Sequence, residues 1–450
     1  MNVGQKRKLF LHEDILYMKN VVGITAEYNP FHFGHLYQLS EIRRLLGEDC
    51  AVAAALSGDF VQRGEPALFS KFARAEAAVR SGLDLALELP VQWSCASAGY
   101  FAKGAVSLLS SLGITHLAFG SESGNLEELQ NAARVLSEPG FEEDVKTLMK
   151  ASPSLSYPAA REAALRNCCG EESASVLASP NDTLAVEYLI ALRRIEKQTG
   201  KKIEPLCIRR AGPGHDAPEI LFSGNSAECP DMPFASASAI RNALRLSKES
   251  PSALLAVLKE FVPREAFSVY SREIRQGRGP VFSDSLEREM LSRLIMFVKP
   301  YYSSLPDASE GIGNRLYEAV REKNTLDEIV AFAKTKRFSE SRVRRLVLQA
   351  CLGISGRSFG PCLTESLPPY LRPLAMNEKG RLLLAEAGET SPIPVLSKAA
   401  DVRLLGPEAE TVFSCGVHAH DLYELAFLPS ESVKRGNDFR FSPVFVQNNE

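Results

Sequence analysis

The sequence predicts an α/β protein: a mostly parallel sheet with helices on both faces, followed by a mainly helical C-terminal region. Three observations carry this reading. Apolar β-like runs alternate with helical periodicity from Asn20 to Ile208. A His-x-Gly-His turn, His32 to His35, lies where the first such run gives way to the first helix. Beyond Pro251 the period-2 pattern fades and the 3.6-residue pattern takes over.

The elements follow in order. Val21 to Ala26 reads as a strand and Leu36 to Leu46 as the helix after it. Ala51 to Leu56 is a second strand, and Lys71 to Ser81 a helix leading to the strand-like stretch Leu83 to Leu89. Ala96 to Leu112 is a helix ended by Gly113, and Thr115 to Phe119 a short strand. Glu122 to Cys169 is helical and polar, resembling an insertion, before a helix at Asp182 to Gln198 and a strand at Ile203 to Ile208, where the sheet is expected to close. A short helix starts at Ser236. Helices are then predicted at Ala253 to Val262, Ser285 to Phe297, Gly311 to Lys323, Thr325 to Lys334 and Glu340 to Leu352. These divisions suggest an N-terminal extension at 1–20, a catalytic domain at 21–250, a helical region at 251–355 and a mixed region at 356–450 containing the strand-like Ile393 to Leu396.

Composition narrows the function classes. With 45% hydrophobic and 24% charged residues the chain is an ordinary globular one, and a net charge of -3 argues against a uniformly basic nucleic-acid surface. No apolar run approaches the roughly 18 residues of a membrane span, and the stretch before Met18 lacks the apolar core of a signal peptide. The nine cysteines contain no C-x-x-C pair, which fits free thiols in a reducing cytoplasm and no structural metal. No obligate protein partner is evident.

Chemistry concentrates in two places. Glu27-Tyr28-Asn29-Pro30-Phe31-His32-Phe33-Gly34-His35 joins a strand to a helix N-terminus, whose free N–H groups and partial positive charge suit phosphate. Gly34 permits close approach, and two imidazoles three residues apart can stabilise departing pyrophosphate. Standing alone, the same motif equally fits a helix start whose histidines only cap it. Ser236-Ala237-Ser238-Ala239-Ile240-Arg241 puts a hydroxyl, free amides and a guanidinium around one anion, although an ordinary capped helix has the same pattern. Asp59, Gln62 and Arg63 follow the second strand as candidates to line a site. Glu88 before Pro90 reads either as substrate-facing or as structural. Basic runs occur at Tyr270 to Arg278 and at Lys334 to Arg345, where Arg342, Arg344 and Arg345 could meet RNA phosphates or simply be solvated.

In this order the two motifs resemble the paired signatures of the nucleotidyltransferase superfamily. The longer stretches Ala26 to His35, Ser57 to Ala67, Asp84 to Pro90, Phe119 to Glu122 and Ser179-Pro180-Asn181 are similar to the bacterial tRNA(Met) cytidine acetate ligases, from about Val21 to beyond Arg345. The resemblance implies a Rossmann-like nucleotidyltransferase core. It also implies an activity: acetate activated by ATP as acetyl-adenylate, then acetyl transfer to N4 of the wobble cytidine of elongator tRNA(Met). The ATP site it implies is Thr25-Ala26-Glu27-Tyr28-Asn29-Pro30-Phe31-His32-Phe33-Gly34-His35-Leu36-Tyr37-Gln38 with Gly120, Asn181, Arg209, Arg210, Ser236 and Ser238. His32, His35 and Arg241 would be catalytic, Arg342, Arg344 and Arg345 would bind tRNA, and Mg2+ would accompany ATP. Family members commonly carry Asn where this chain has Asp59, and a different residue at Asp182. Two rivals share the motifs or the fold: a transferase adenylylating a small phosphorylated metabolite, and a nonenzymatic RNA-binding protein.

Overall fold

A computed structural model describes residues 20–152, 154–210, 234–355, 367–428 and 434–447; the proposed extension before Asn20 lies outside them. The chain runs β1 (Val21–Ala26), α1 (Phe33–Leu46), β2 (Ala51–Ser57), α2 (Lys71–Arg80), β3 (Leu85–Leu89), α3 (Ala98–Leu112) and β4 (His116–Ser121). Then come α4 (Leu126–Leu136), α5 (Phe141–Ala151), α6 (Tyr157–Ser175), α7 (Pro180–Thr199) and β5 (Glu204–Arg209). These strands form a parallel sheet in the order β5-β4-β1-β2-β3. Both faces are covered, as an all-parallel sheet requires. Val22, Ile24, Val52 and Ala54 face one layer, while Ala51, Ala53, Leu85 and Leu117 face the other. Close approach of α3 to β1 depends on Gly23, where a β-carbon would meet Leu109 Cδ1 at 3.0 Å.

After β5 come α8 (Ala237–Leu246), α9 (Pro251–Phe261) and α10 (Arg264–Arg275), which pack with α1 and α2 on the first layer. The helical region α11 (Glu287–Leu294), α12 (Ile312–Glu322), α13 (Leu326–Ala333) and α14 (Glu340–Leu352) builds a third core around Leu316, Ile329, Leu346 and Leu348. Burial of each such side chain contributes about 1.5–3 kcal/mol. The helix expected over Ser285 to Phe297 is shorter: Ser283–Leu286 is a 3₁₀ turn, and regular helix spans only Glu287–Leu294.

The expectation that the sheet closes at β5 is corrected by the last part of the chain. β6 (Pro373–Met376) pairs antiparallel with β3, α15 (Glu378–Thr390) and α16 (Pro407–Tyr423) pack on the sheet, and β7 (Val444–Phe445) pairs with β6. The strand-like Ile393 to Leu396 contributes only one bridge, Leu371 to Val395. Pro392 and Pro394 explain that outcome, since neither has an N–H to give a ladder.

Candidate active site

The C-terminal ends of β1, β4 and β5 open into one cleft of about 1070 Å³, where an open parallel sheet presents its loops. β1 leads through Tyr28, held at a positive φ of 48°, to His32, the N-cap of α1. His32 Nδ1 accepts the Gly34 N–H at 3.0 Å, and His35 Nδ1 accepts the His32 N–H at 3.2 Å. The motif is therefore a helix cap, as one of its two readings expected, and the cap determines its chemistry. With both Nδ1 atoms accepting, each neutral ring carries its proton on Nε2 and is a hydrogen-bond donor there. The rings lie 3.9 Å apart, and Tyr28 packs edge-on against His35. Burial, then Arg210 and Arg241, pushes the His32 imidazole down to about 3. His35, partly open to the cleft, is held well below its usual value by burial, then by His32 and Arg210. A β-carbon at Gly34 would meet His32 Cε1 at 2.8 Å, so this cap needs glycine.

The second motif arrives from the other side of the mouth. Ser236 caps α8 by accepting the Ala239 N–H at 3.0 Å. Arg241 donates to the Asn29 carbonyl at 3.1 Å and to Ser238 Oγ at 2.9 Å, so Ser238 holds the arginine rather than facing the cleft. Arg210 leaves β5 beside Gly120, where a β-carbon would stand 3.2 Å from its Cγ; Arg209 lies instead against Gly124. Asn181 Nδ2 donates to Glu122 Oε1, and Asp182 accepts the Glu122 and Ser123 N–H groups, each at 3.1 Å. Asp182 thus shapes the loop after β4.

Of the expected nucleotide residues, Thr25 to Asn29, His32, Gly34, His35, Tyr37, Gln38, Gly120, Asn181, Arg209, Arg210, Ser236 and Arg241 line the cleft. Pro30, Phe31, Phe33, Leu36 and Ser238 do not; Phe31 is core, its N–H donating to Tyr270 Oη at 3.0 Å. Gln62 and Arg63 line the cleft, whereas Asp59 is buried behind it, accepting the Lys71 N–H at 2.8 Å and facing His420 at 2.9 Å. Glu88 is structural, paired with Lys71 at 2.7 Å and Arg372 at 2.6 Å.

Arg344 and Arg345 also line the cleft, which the great sequence distance of α14 from the histidines concealed. Arg342 donates to the Asp307 carbonyl at 3.1 Å, Arg344 pairs with Asp327 and Glu340, each at 3.1 Å, and Arg345 pairs with Asp307 at 3.2 Å. They are seated by Gly64 (φ 77°), where a β-carbon would stand 2.5 Å from Arg345 N. Sequence reasoning missed Arg74. Fully buried, it donates to the carbonyls of Phe69 and Ser57, each at 2.9 Å, and to those of Glu27 and Gly58, tying together the loops after β1 and β2. It also missed the far wall, where Arg161 pairs with Glu187 at 2.5 Å beside Tyr157 and Tyr188. Neither had a local signal. Among the described residues no group of three His, Cys, Asp or Glu side chains could hold a metal, and no helix is long and apolar enough to cross a membrane.

The profile of the HIGH Nucleotidyl Transferase family matches residues 18–438. A tRNA(Met) cytidine acetate ligase of Syntrophomonas wolfei is 36% identical over 94% of this chain and 99% of its own; one from Fervidobacterium nodosum is 35% identical over 94% and 99%. Among solved structures, Thermotoga maritima TmcAL without ligand is 32% identical, covers 95% of this chain and 100% of its own, and superposes with a TM-score of 0.85. The same protein bound with alpha-thio ATP gives 0.83. On a match that spans sheet, cleft and helical region alike, the chain belongs to the tRNA(Met) cytidine acetate ligase family of HIGH nucleotidyl transferases.

Proposed function

We propose that this chain is an ATP-dependent ligase that activates acetate as acetyl-adenylate, with release of pyrophosphate, and passes the acetyl group to N4 of the wobble cytidine of elongator tRNA(Met). The observation that carries the reading is the convergence of His32, His35, Arg210 and Arg241 on one mouth at the end of β1. Two neutral imidazoles presenting Nε2–H, with two guanidiniums, are fixed donors for charge that builds as pyrophosphate leaves. His32, His35 and Arg241 act there. Thr25, Ala26, Tyr28, Asn29, Gly34, Tyr37, Gln38, Gly120, Asn181, Arg209 and Arg210 hold the nucleotide, with Ser236 and Ser238 supporting α8 and Arg241.

Arg344 and Arg345, with Arg342 beside them, border the same cleft, so a tRNA docked on α14 would bring its anticodon to the nucleotide. A magnesium ion would come with ATP, held by phosphate oxygens and water. The cytoplasm, where ATP and tRNA are found, is the proposed compartment.

The test is incubation with ATP, labelled acetate and total tRNA. Pyrophosphate release with label on tRNA(Met) is expected. Pyrophosphate without labelled RNA would favour adenylylation of a small metabolite, and neither product a binding protein.

A further inference from the structure

The transfer step poses a chemical problem that the nucleotide site leaves open. An exocyclic cytosine amine is a weak nucleophile whose lone pair is delocalised into the ring, and it must lose a proton as it attacks. The motif histidines cannot accept that proton. Their Nδ1 atoms are occupied by backbone N–H groups and their Nε2 atoms already carry hydrogen.

Four carboxylates line the cleft among the described residues: Glu27, Glu65, Glu187 and Glu340. Glu187 is paired with Arg161 at 2.5 Å, Glu65 lies 3.5 Å from Arg344, and Glu340 pairs with Arg344 at 3.1 Å and Lys334 at 3.0 Å. Glu27 differs from all three. Its Oε1 accepts the Gln62 N–H at 2.8 Å, no cation among the described residues forms an ion pair with it, and it is half-buried at the end of β1. Its place is central. The buried Arg74 holds its carbonyl, and its charge bears on Arg241 of the anion side and also on Cys95 after β3 and Tyr188 of the far wall. Glu27 is also the only acid between Thr25 and Gln38. A carboxylate repels a polyphosphate, so its position in this stretch calls for a task other than holding nucleotide.

We propose that Glu27 is the general base of acyl transfer, an assignment that rests on the acetate-activating reading above. The amine lone pair forms the C–N bond to the acetyl carbonyl carbon while its N–H proton passes to the Glu27 carboxylate. The tetrahedral adduct then breaks its C–O bond to phosphorus-bound oxygen, AMP leaves with the electron pair, and Glu27 returns the proton to solvent.

Glu27→Gln separates this role from structure, because the amide oxygen still accepts the Gln62 N–H. Three rates are compared with wild type: acetate-dependent ATP–pyrophosphate exchange, acetohydroxamate formation when hydroxylamine replaces tRNA, and acetylation of tRNA(Met). Hydroxylamine is a strong nucleophile and needs no enzyme base. The variant is expected to keep the first two within about threefold and to lose between about a hundredfold and ten-thousandfold of the third, with tRNA affinity unchanged. Near-normal tRNA acetylation by E27Q, or exchange that falls in parallel with transfer, would overturn the assignment. Absence of acetate-dependent exchange in the wild-type protein would instead remove the acetate reading, and the assignment with it.

Discussion

His32 and His420 are both nearly excluded from solvent, at 5% and 1% exposure, yet their surroundings prescribe opposite protonation states. At the mouth of β1, burial and two guanidiniums keep His32 neutral. On α16, burial opposes charge, but Asp59, Glu424 and Asp438 overcome it and raise His420 to about 10. Its Nδ1 meets Asp59 at 2.9 Å, and its Nε2 lies 3.3 Å from Glu424. Burial lowers both imidazoles, and only acidic neighbours reverse that direction. In the proposed function, one region meets an arriving anion with neutral donors. The other has already satisfied its charges internally, in a cluster that also holds Lys71, Glu88 and Arg372.

The largest effect should come from opening the satisfied cluster. Arg372→Met leaves Glu88 and Asp438 facing each other with Lys71 alone, and a loss of about 3–5 kcal/mol is expected in urea unfolding. A loss below about 1 kcal/mol would mean the cluster does not hold the C-terminal region to the sheet. At the mouth, His32→Ala or His35→Ala should slow acetate-dependent ATP–pyrophosphate exchange by roughly tenfold to a thousandfold while circular dichroism stays unchanged. Full exchange in both variants would reduce the pair to a helix cap.

The two histidines should also tilt stability oppositely with pH. His420 is raised above its unfolded value, so its contribution is complete below about pH 6.5 and is lost as pH climbs through about 10. His32 is depressed, so its contribution is complete above about pH 6.5 and is lost as pH falls towards about 3. Each limb is limited to about 1.4 kcal/mol per pH unit per proton. Unfolding midpoints measured across pH should lose their alkaline slope in His420→Asn and part of their acid slope in His32→Gln; unaltered slopes would show that the neighbours do not control these rings. The smallest effect belongs to Arg344, whose charge is already shared with Asp327 and Glu340. Arg344→Gln should weaken tRNA binding by less than about tenfold and make the salt dependence shallower by about one unit, and a variant with unchanged affinity and slope would exclude Arg344 from the docking surface.

The same contrast explains what the sequence revealed. His32, Gly34 and His35 act through bonds spanning two or three residues, so their spacing is visible in the chain, and Ser236 with Arg241 is nearly as local. β1 to β5 were legible because buried parallel strands read as apolar runs between helices. His420 and Asp59 are 361 residues apart, and Arg372 joins Glu88 across 284. No periodicity records such pairings. β6 escaped notice for a related reason: four residues beginning with proline look like a strand only once β3 supplies the edge. Asp59 and Asp182 both organise loops by accepting backbone N–H groups from residues that no local pattern links to them.

The placement of β6 has a consequence for synthesis. A ribosome releases β1 to β5 and the nucleotide motifs long before Pro373, but β3 then stands as an open edge, and Lys71 and Glu88 await Arg372 and Asp438. Interrupted translation therefore leaves a fragment that carries every ATP motif together with an unpaired strand and a buried charge cluster reduced to the Lys71–Glu88 pair, with the open edge inviting aggregation. Only a chain extended past Asp438 both covers the β3 edge with β6 and completes the charge cluster around Lys71 and Glu88.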